Sequence, residues 1–317
     1  MYFAPLPMLA LALSIPATNA PVATPVATPA EILPMEMDDN NHPVINLSLS
    51  GRADPLRFIT DSAAGATLLD SCIARRHGLE DDKAGATLVQ GATNNRAEIR
   101  RLRSTTWKLG NLQLEAAVMQ ADLGGSSCKD ASGMAGILGN DITRRWDTRW
   151  DFAAKQLQLW PPGSLPNGAH CQANALPARK SGLQGFGFIK VFLGKEGVEA
   201  IALVDTGAAA TVLNIAAAQT LGVRTDGSDA RVKVSKSKFA GLGGRAQSSW
   251  AYELPAMASG SWQRPAMEVF ISEMQVFNTL GLAERPALIL GNDAMAGAQI
   301  DITAGAGRIC LQAPPAS

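Results

Sequence analysis

Two acidic residues stand in closely similar company along this chain. Asp205 follows an apolar, partly β-branched run, Ile201-Ala202-Leu203-Val204, and precedes Thr206, Gly207 and Ala208. Asp61 follows Arg57-Phe58-Ile59-Thr60 and precedes Ser62, Ala63 and Ala64. Each run reads as a buried strand that delivers a carboxylate to a tight turn. The neighbouring hydroxyl ties such a turn down, and glycine takes backbone angles that other residues avoid. Two carboxylates within hydrogen-bond distance do not both ionise readily, so they share one proton and their titrations split. The charged member then takes a proton from a water while the protonated one polarises a carbonyl. That is the chemistry of hydrolysis with neither a metal nor a nucleophilic side chain.

The surroundings of the two Asp residues repeat. Residues 61–79 and 205–223 align without a gap and share the Asp, Ala64/Ala208, Ala66/Ala210, Thr67/Thr211, Leu69/Leu213 and the closing Gly78/Gly222. Further on, Ile137-Leu138-Gly139-Asn140-Asp141 and Ile289-Leu290-Gly291-Asn292-Asp293 are identical. Each is followed by a strand-like apolar stretch, at 157–160 and 309–311. Two co-linear motifs in each half predict two homologous β-rich lobes. Asp141 and Asp293 fall just past the Ile-Leu-Gly strands and are expected to cap a following helix rather than to react.

These loops resemble the active-site loops of aspartic peptidases of the retropepsin and pepsin type, where each lobe supplies one Asp-Thr/Ser-Gly. The resemblance covers roughly residues 44 to 313. It is nearer to bacterial retropepsin-like lobes than to full pepsins, each half being about 120 to 130 residues. It implies an all-β, two-lobed acid-protease fold with pseudo-two-fold symmetry and short helices. It implies that Asp61 and Asp205 meet between the lobes and hydrolyse peptide bonds of a peptide or protein substrate without a cofactor. Ser62 and Thr206 would bond across the two loops, with Ala63 and Gly207 beside them and the Ile-Leu-Gly strands beneath. Flaps would come from Gly91-Ala92 in the first half and from Gly241, Gly243 and Gly244 in the second. With both halves in one chain, a monomer with an internal pseudo-dimer is expected; pairing of each lobe with another molecule is the weaker alternative. Ala63 departs from the pattern, since the family has glycine there. A methyl at this place narrows the cleft or displaces Asp61, so the competing function is a peptide-binding module that kept the cleft and lost turnover.

Composition bounds the rest. With 28 basic and 28 acidic residues and a pI near 6.8, there is no basic excess to favour nucleic acid or an anionic membrane. The four cysteines are widely spaced and the three histidines scattered, so no metal site is expected. The even count permits disulfides in an oxidising compartment, with three possible pairings among which the sequence does not choose, while Cys72 and Cys310 lie in apolar contexts and read as plain buried thiols. The apolar run 8–15 with its small-residue end resembles a signal peptide, which points to an exported, periplasmic or secreted protein. No stretch is long enough to span a bilayer. The chain divides into a leader at 1–20, a Pro/Ala-rich linker at 21–43, a first lobe at 44–162, a connector at 163–185 and a second lobe at 186–317. Helical spacing is read at 66–77 and 208–221, each ending at a glycine. Trp146, Trp150 and Trp160 read as first-lobe core, and the arginines of 96–103 as a solvated strand face.

Overall fold

Alternation decides the secondary structure. In strand Pro43–Leu49, Ile45, Leu47 and Leu49 are buried while Asn46 is exposed, the signature of a sheet with one face on a core. The computed structural model describes residues 27–52, 54–93, 96–123, 133–166, 171–176, 185–236, 239–240, 242 and 246–313. Four sheets form among them, of ten, nine, six and two strands.

The ten-stranded sheet holds the first half and the nine-stranded sheet the second. Their strand orders correspond place for place. The first runs Asp81–Gln90, Arg96–Leu102, Met119–Ala121, Leu68–Asp70, Gly136–Leu138, Leu56–Thr60, Pro43–Leu49, Thr105–Leu109, Leu112–Ala116, with a tenth strand, Glu36–Met37, paired to Pro43–Leu49 off this path. The second runs Val232–Val234, Trp250–Leu254, Met267–Ile271, Val212–Leu213, Ala287–Leu290, Val198–Val204, Phe188–Leu193, Met257–Ser259, Trp262–Arg264. In both, the strand that precedes the Asp lies between an antiparallel neighbour and a parallel one, the Ile-Leu strand of the repeated motif. The fold is β-rich and two-lobed, as expected.

The six-stranded sheet joins the halves. Its central pair is Asp147–Asp151 against Gln299–Ile302, with Arg149 directly opposite Asp301. Gln156–Trp160 and Arg308–Gln312 flank this pair, and Glu31–Pro34 and Cys171–Ala173 form the outer edges. Both outer strands come from stretches read as linker and connector. Leu33 and Met35 are buried, so part of 21–43 is core. A short polar run can still supply one strand when a neighbouring sheet offers an edge and covers its apolar face.

Local readings need correcting in three places. The predicted helices start late: Leu68–Asp70 and Val212–Leu213 are strands, and only Ser71–Arg76 and Ile215–Thr220 are helical, capped by the side chains of Asp70 and Asn214. Apolar runs this short fit either element, and parallel pairing with the sheet settles these as strands. The cysteines are not free thiols. Cys310 is bonded to Cys171 across the last two strands of the joining sheet, and Cys72 is also disulfide-bonded. Apolar surroundings look alike for a buried thiol and a half-cystine, so sequence context did not separate them. Trp150 and Trp160 are buried and Trp146 packs against the core that holds Trp150, but Trp150 and Trp160 belong to the joining sheet rather than to the first lobe alone.

Candidate active site

Each Asp is placed by the strand beneath it. Asp61 N–H donates to Leu138 O at 2.9 Å, and Asp205 N–H to Leu290 O at 3.2 Å. The motif glycines let the loops sit this low. A β-carbon on Gly139 would meet Ala66 and Ala64 backbone atoms at 2.6 to 2.9 Å, and one on Gly291 would collide with Ala210. Asn140 N–H then donates to Ala64 O and Asn292 N–H to Ala208 O, both at 2.8 Å.

Asp141 and Asp293 do not cap helices, as the sequence reading had it. Gly139 and Gly291 occupy the cap positions. Thr67 Oγ1 donates to Asp141 Oδ1 at 2.7 Å and accepts from Gly139 N at 3.1 Å. Thr211 Oγ1 donates to Asp293 Oδ1 at 2.6 Å and accepts from Gly291 N at 3.2 Å. These clamps fasten the far end of each loop to the crossing strand. The repeated Thr67/Thr211 and the identical Asn-Asp of the two motifs were their signals in the sequence.

Ser62 and Thr206 interlock between the halves. Ser62 N–H donates to Thr206 Oγ1 at 2.9 Å, and Thr206 Oγ1 donates to Thr60 O at 2.8 Å. Reciprocally, Thr206 N–H donates to Ser62 Oγ at 3.1 Å, and Ser62 Oγ donates to Val204 O at 2.8 Å. Both side chains are buried, so their partners have no water to fall back on. Thr206→Val keeps the shape but orphans the Ser62 N–H and the Thr60 carbonyl, at an expected cost of about 1–3 kcal/mol. Urea unfolding measures it; Thr206→Ser should restore most of the loss, and a valine variant as stable as the parent would refute this role.

The grip brings Asp61 and Asp205 into hydrogen-bond contact with each other. Asp61 Oδ1 accepts from Ala63 N at 2.8 Å, and Asp205 Oδ1 from Gly207 N at 2.9 Å. Burial pushes both carboxyls up from the ordinary range. Asp205 stands well above it, because burial and the Asp61 charge both act against its ionised form. Asp61 is raised less: burial is opposed by the Ala63 N–H, by the hydrogen bond from Asp205 and by the field of His42.

A third segment, missed in the sequence, completes the surroundings. Asn41, at φ 65°, lies in the turn before strand Pro43–Leu49. Its Nδ2 donates to Ala209 O at 3.0 Å, and its carbonyl accepts from Asn292 Nδ2 at 2.8 Å. Asn292 Nδ2 also reaches Thr206 O at 2.9 Å. Asp38 and His42 in the same turn pair at 3.2 Å. The counterpart of Asn41 is Gly185, also at positive φ, which has no side chain to hold the first loop likewise.

Of the flap candidates, Gly91 and Ala92 are at the tip of the hairpin formed by Asp81–Gln90 and Arg96–Leu102. Ala92 O accepts from Val276 N at 3.1 Å, and Ala92 packs on the second-half cluster of Phe186, Phe188 and Phe277. Gly91 lies against the backbone of Leu242, which itself packs on Leu68, Ile99 and Ala121 of the first half. Loops of the two halves therefore reach across to each other. Gly241, Gly243 and Gly244 lie outside the described residues. Arg100 and Arg101 on the first hairpin pair with Glu98 and Asp82, and Arg103 just beyond it with Glu80, all on the solvated face. Among the described residues no cluster of His, Cys, Asp and Glu is placed to hold a metal, and no helix is long and apolar enough to cross a membrane.

A family model described as aspartyl protease matches residues 45–142 and again 191–294. The two matches each contain one Asp of the pair and one Ile-Leu-Gly motif. No curated protein matches the chain.

Proposed function

Because the chain belongs to the aspartyl protease family, we propose that it is an endopeptidase in which Asp61 and Asp205 jointly activate a water against a peptide carbonyl. The observation that carries this reading is the mutual hydrogen bond of two raised carboxyls, one from each half. The ionised member takes a proton from the water as the new C–O bond forms. The protonated member gives its proton to the carbonyl oxygen. When the tetrahedral species collapses, the C–N bond breaks, the amine leaves with the proton taken from the water, and one hydroxyl returns its proton to the carboxylate that had served as acid as the new C=O forms. The loop tipped by Gly91 and Ala92 acts as a flap that lifts for substrate and closes over it.

Each lobe is of the retropepsin-like kind, the first taken as 44–162 and the second as 186–317, and the working unit is one chain. Arg149 and Asp301 occupy the same place in their halves and face each other across the axis of the joining sheet. Two first lobes would put Arg against Arg there and two second lobes Asp against Asp, so charge selects the pairing found within one chain. The disulfides accord with an oxidising compartment, and with the leader-like residues 1–20, which lie outside the described residues, they favour export.

Incubation with an unfolded protein between about pH 3 and 7, with and without pepstatin, tests the reading. Fragments formed in acid and suppressed by the inhibitor are expected. Substrate left intact across the whole range overturns it.

A further inference from the structure

The asparagines that follow the two Ile-Leu-Gly strands are held differently. Asn292 Nδ2 donates to Asn41 O at 2.8 Å and to Thr206 O at 2.9 Å. Asn140 stands in the same place beneath the first loop and grips it by its backbone, donating to Ala64 O. Its side chain is buried, at 3 % exposure for the residue, yet Nδ2 meets no acceptor among the described residues. A buried amide donor left unpaired forfeits its hydration for nothing, so folded proteins supply such groups with a partner, from the chain or from solvent.

Beside Asn140 lies a small cavity. Its walls come from the first loop at Ser62, from Thr143 on the same short helix, from Gly185, and from Thr148 and Trp150 of the joining sheet. The centre of a water-sized sphere can range over ≈ 10 Å³ there, which is room for one water and little more. Gly185 helps to keep the place open. A β-carbon on it would stand 3.3 Å from Asn140 Cγ and 3.4 Å from Nδ2.

The walls also decide what kind of molecule fits. Thr143 and Thr148 are buried, and their hydroxyl protons are committed elsewhere. Thr143 Oγ1 donates to Gly139 O at 3.4 Å and Thr148 Oγ1 to Ile302 O at 3.2 Å. Their oxygens keep lone pairs that can only accept. An occupant must therefore accept from the Asn140 amide and donate to a threonine oxygen. Water does both. A halide only accepts, and a bare cation has no use for an N–H.

We propose that this cavity binds one ordered water, which accepts from Asn140 Nδ2 and donates to the threonine oxygens around it. The first loop is thereby fastened to the joining sheet through solvent, whereas the second is fastened directly by Asn41. The inference involves no reaction and stands whether or not the chain cleaves peptides.

A high-resolution crystal structure of the wild type tests it, with Asn140→Leu beside it, since leucine keeps the branching and removes the donor. The wild type should show a single peak of density within about 3.2 Å of Nδ2 and of a threonine oxygen, and the variant should lack it. In solution, ¹⁷O magnetic relaxation dispersion should count one fewer long-lived water in the variant. A protein acceptor on Nδ2, no density at the site, a peak that bromide replaces with an anomalous signal, or equal water counts would overturn the proposal. Thermal unfolding checks that the variant folds; should it not, the wild-type density decides alone.

Discussion

Replacing Asp205 with Asn lowers cleavage of an unfolded protein about 10²- to 10⁴-fold, while the variant becomes the more stable protein at neutral pH. The first effect is expected because the proposed mechanism needs both carboxyls, one to take a proton and one to give one. The second follows from linkage. The folded state holds the Asp205 carboxyl well above its ordinary value of 3.8, through burial first and then the Asp61 charge. Folding therefore binds this proton more tightly than the unfolded chain does. The stability so gained is fully present below 3.8 and is lost as pH rises through the folded value. Asn carries no charge and escapes that loss. The difference in Tm, variant minus parent, should be smallest in acid and grow toward neutrality. Calorimetry at a series of pH values measures it, and a gap that shrinks as pH rises would refute the assignment.

Exchange of Arg149 for Met destabilises the chain by about 3–5 kcal/mol at neutral pH. Asp301 has a fully buried side chain and accepts from Arg149 Nε and Nη2, both at 2.8 Å. Burial raises its carboxyl even with Arg149 present. Without the guanidinium an unpaired charge remains in the middle of the joining sheet. The sign is that of a raised carboxyl, so the deficit is full at neutrality, fades as pH falls through the raised folded values and is gone below 3.8. Replacing both partners, as in Arg149→Met with Asp301→Leu, should recover most of the loss. Denaturant titration of the two variants decides the matter; a single variant within about 1 kcal/mol of the parent would be inconsistent with it.

The sequence disclosed what repeats and hid what does not. Asp61, Asp205, Ser62 and Thr206 were legible because two loops carry the same residue types at the same spacing, and the two Ile-Leu-Gly motifs fixed the strands beneath them. The six-stranded joining sheet was not, because its outer strands, Glu31–Pro34 and Cys171–Ala173, are short and follow polar or proline-containing stretches. They become strands only when an edge is offered. The roles of Asp141 and Asp293 were misread because position after a strand is compatible with capping. Only the folded chain brings Thr67 and Thr211 to their carboxylates. Asn41 carried no signal at all: its two contacts lie in the other half of the chain. Ala63 was visible as an exception to the repeat, whereas the closeness of Gly207 to Asp61 is something no spacing reveals.

The central claim is that one carboxylate from each half works with the other as a unit, and a double-mutant cycle reads this most directly. Asp61→Asn, Asp205→Asn and the double variant are compared by kcat/KM on one peptide substrate. Groups that act as a unit fail together, so each single variant should lose as much as the double, within about threefold. A single variant that keeps a tenth of the parent's activity, or two losses that multiply in the double, would contradict the account.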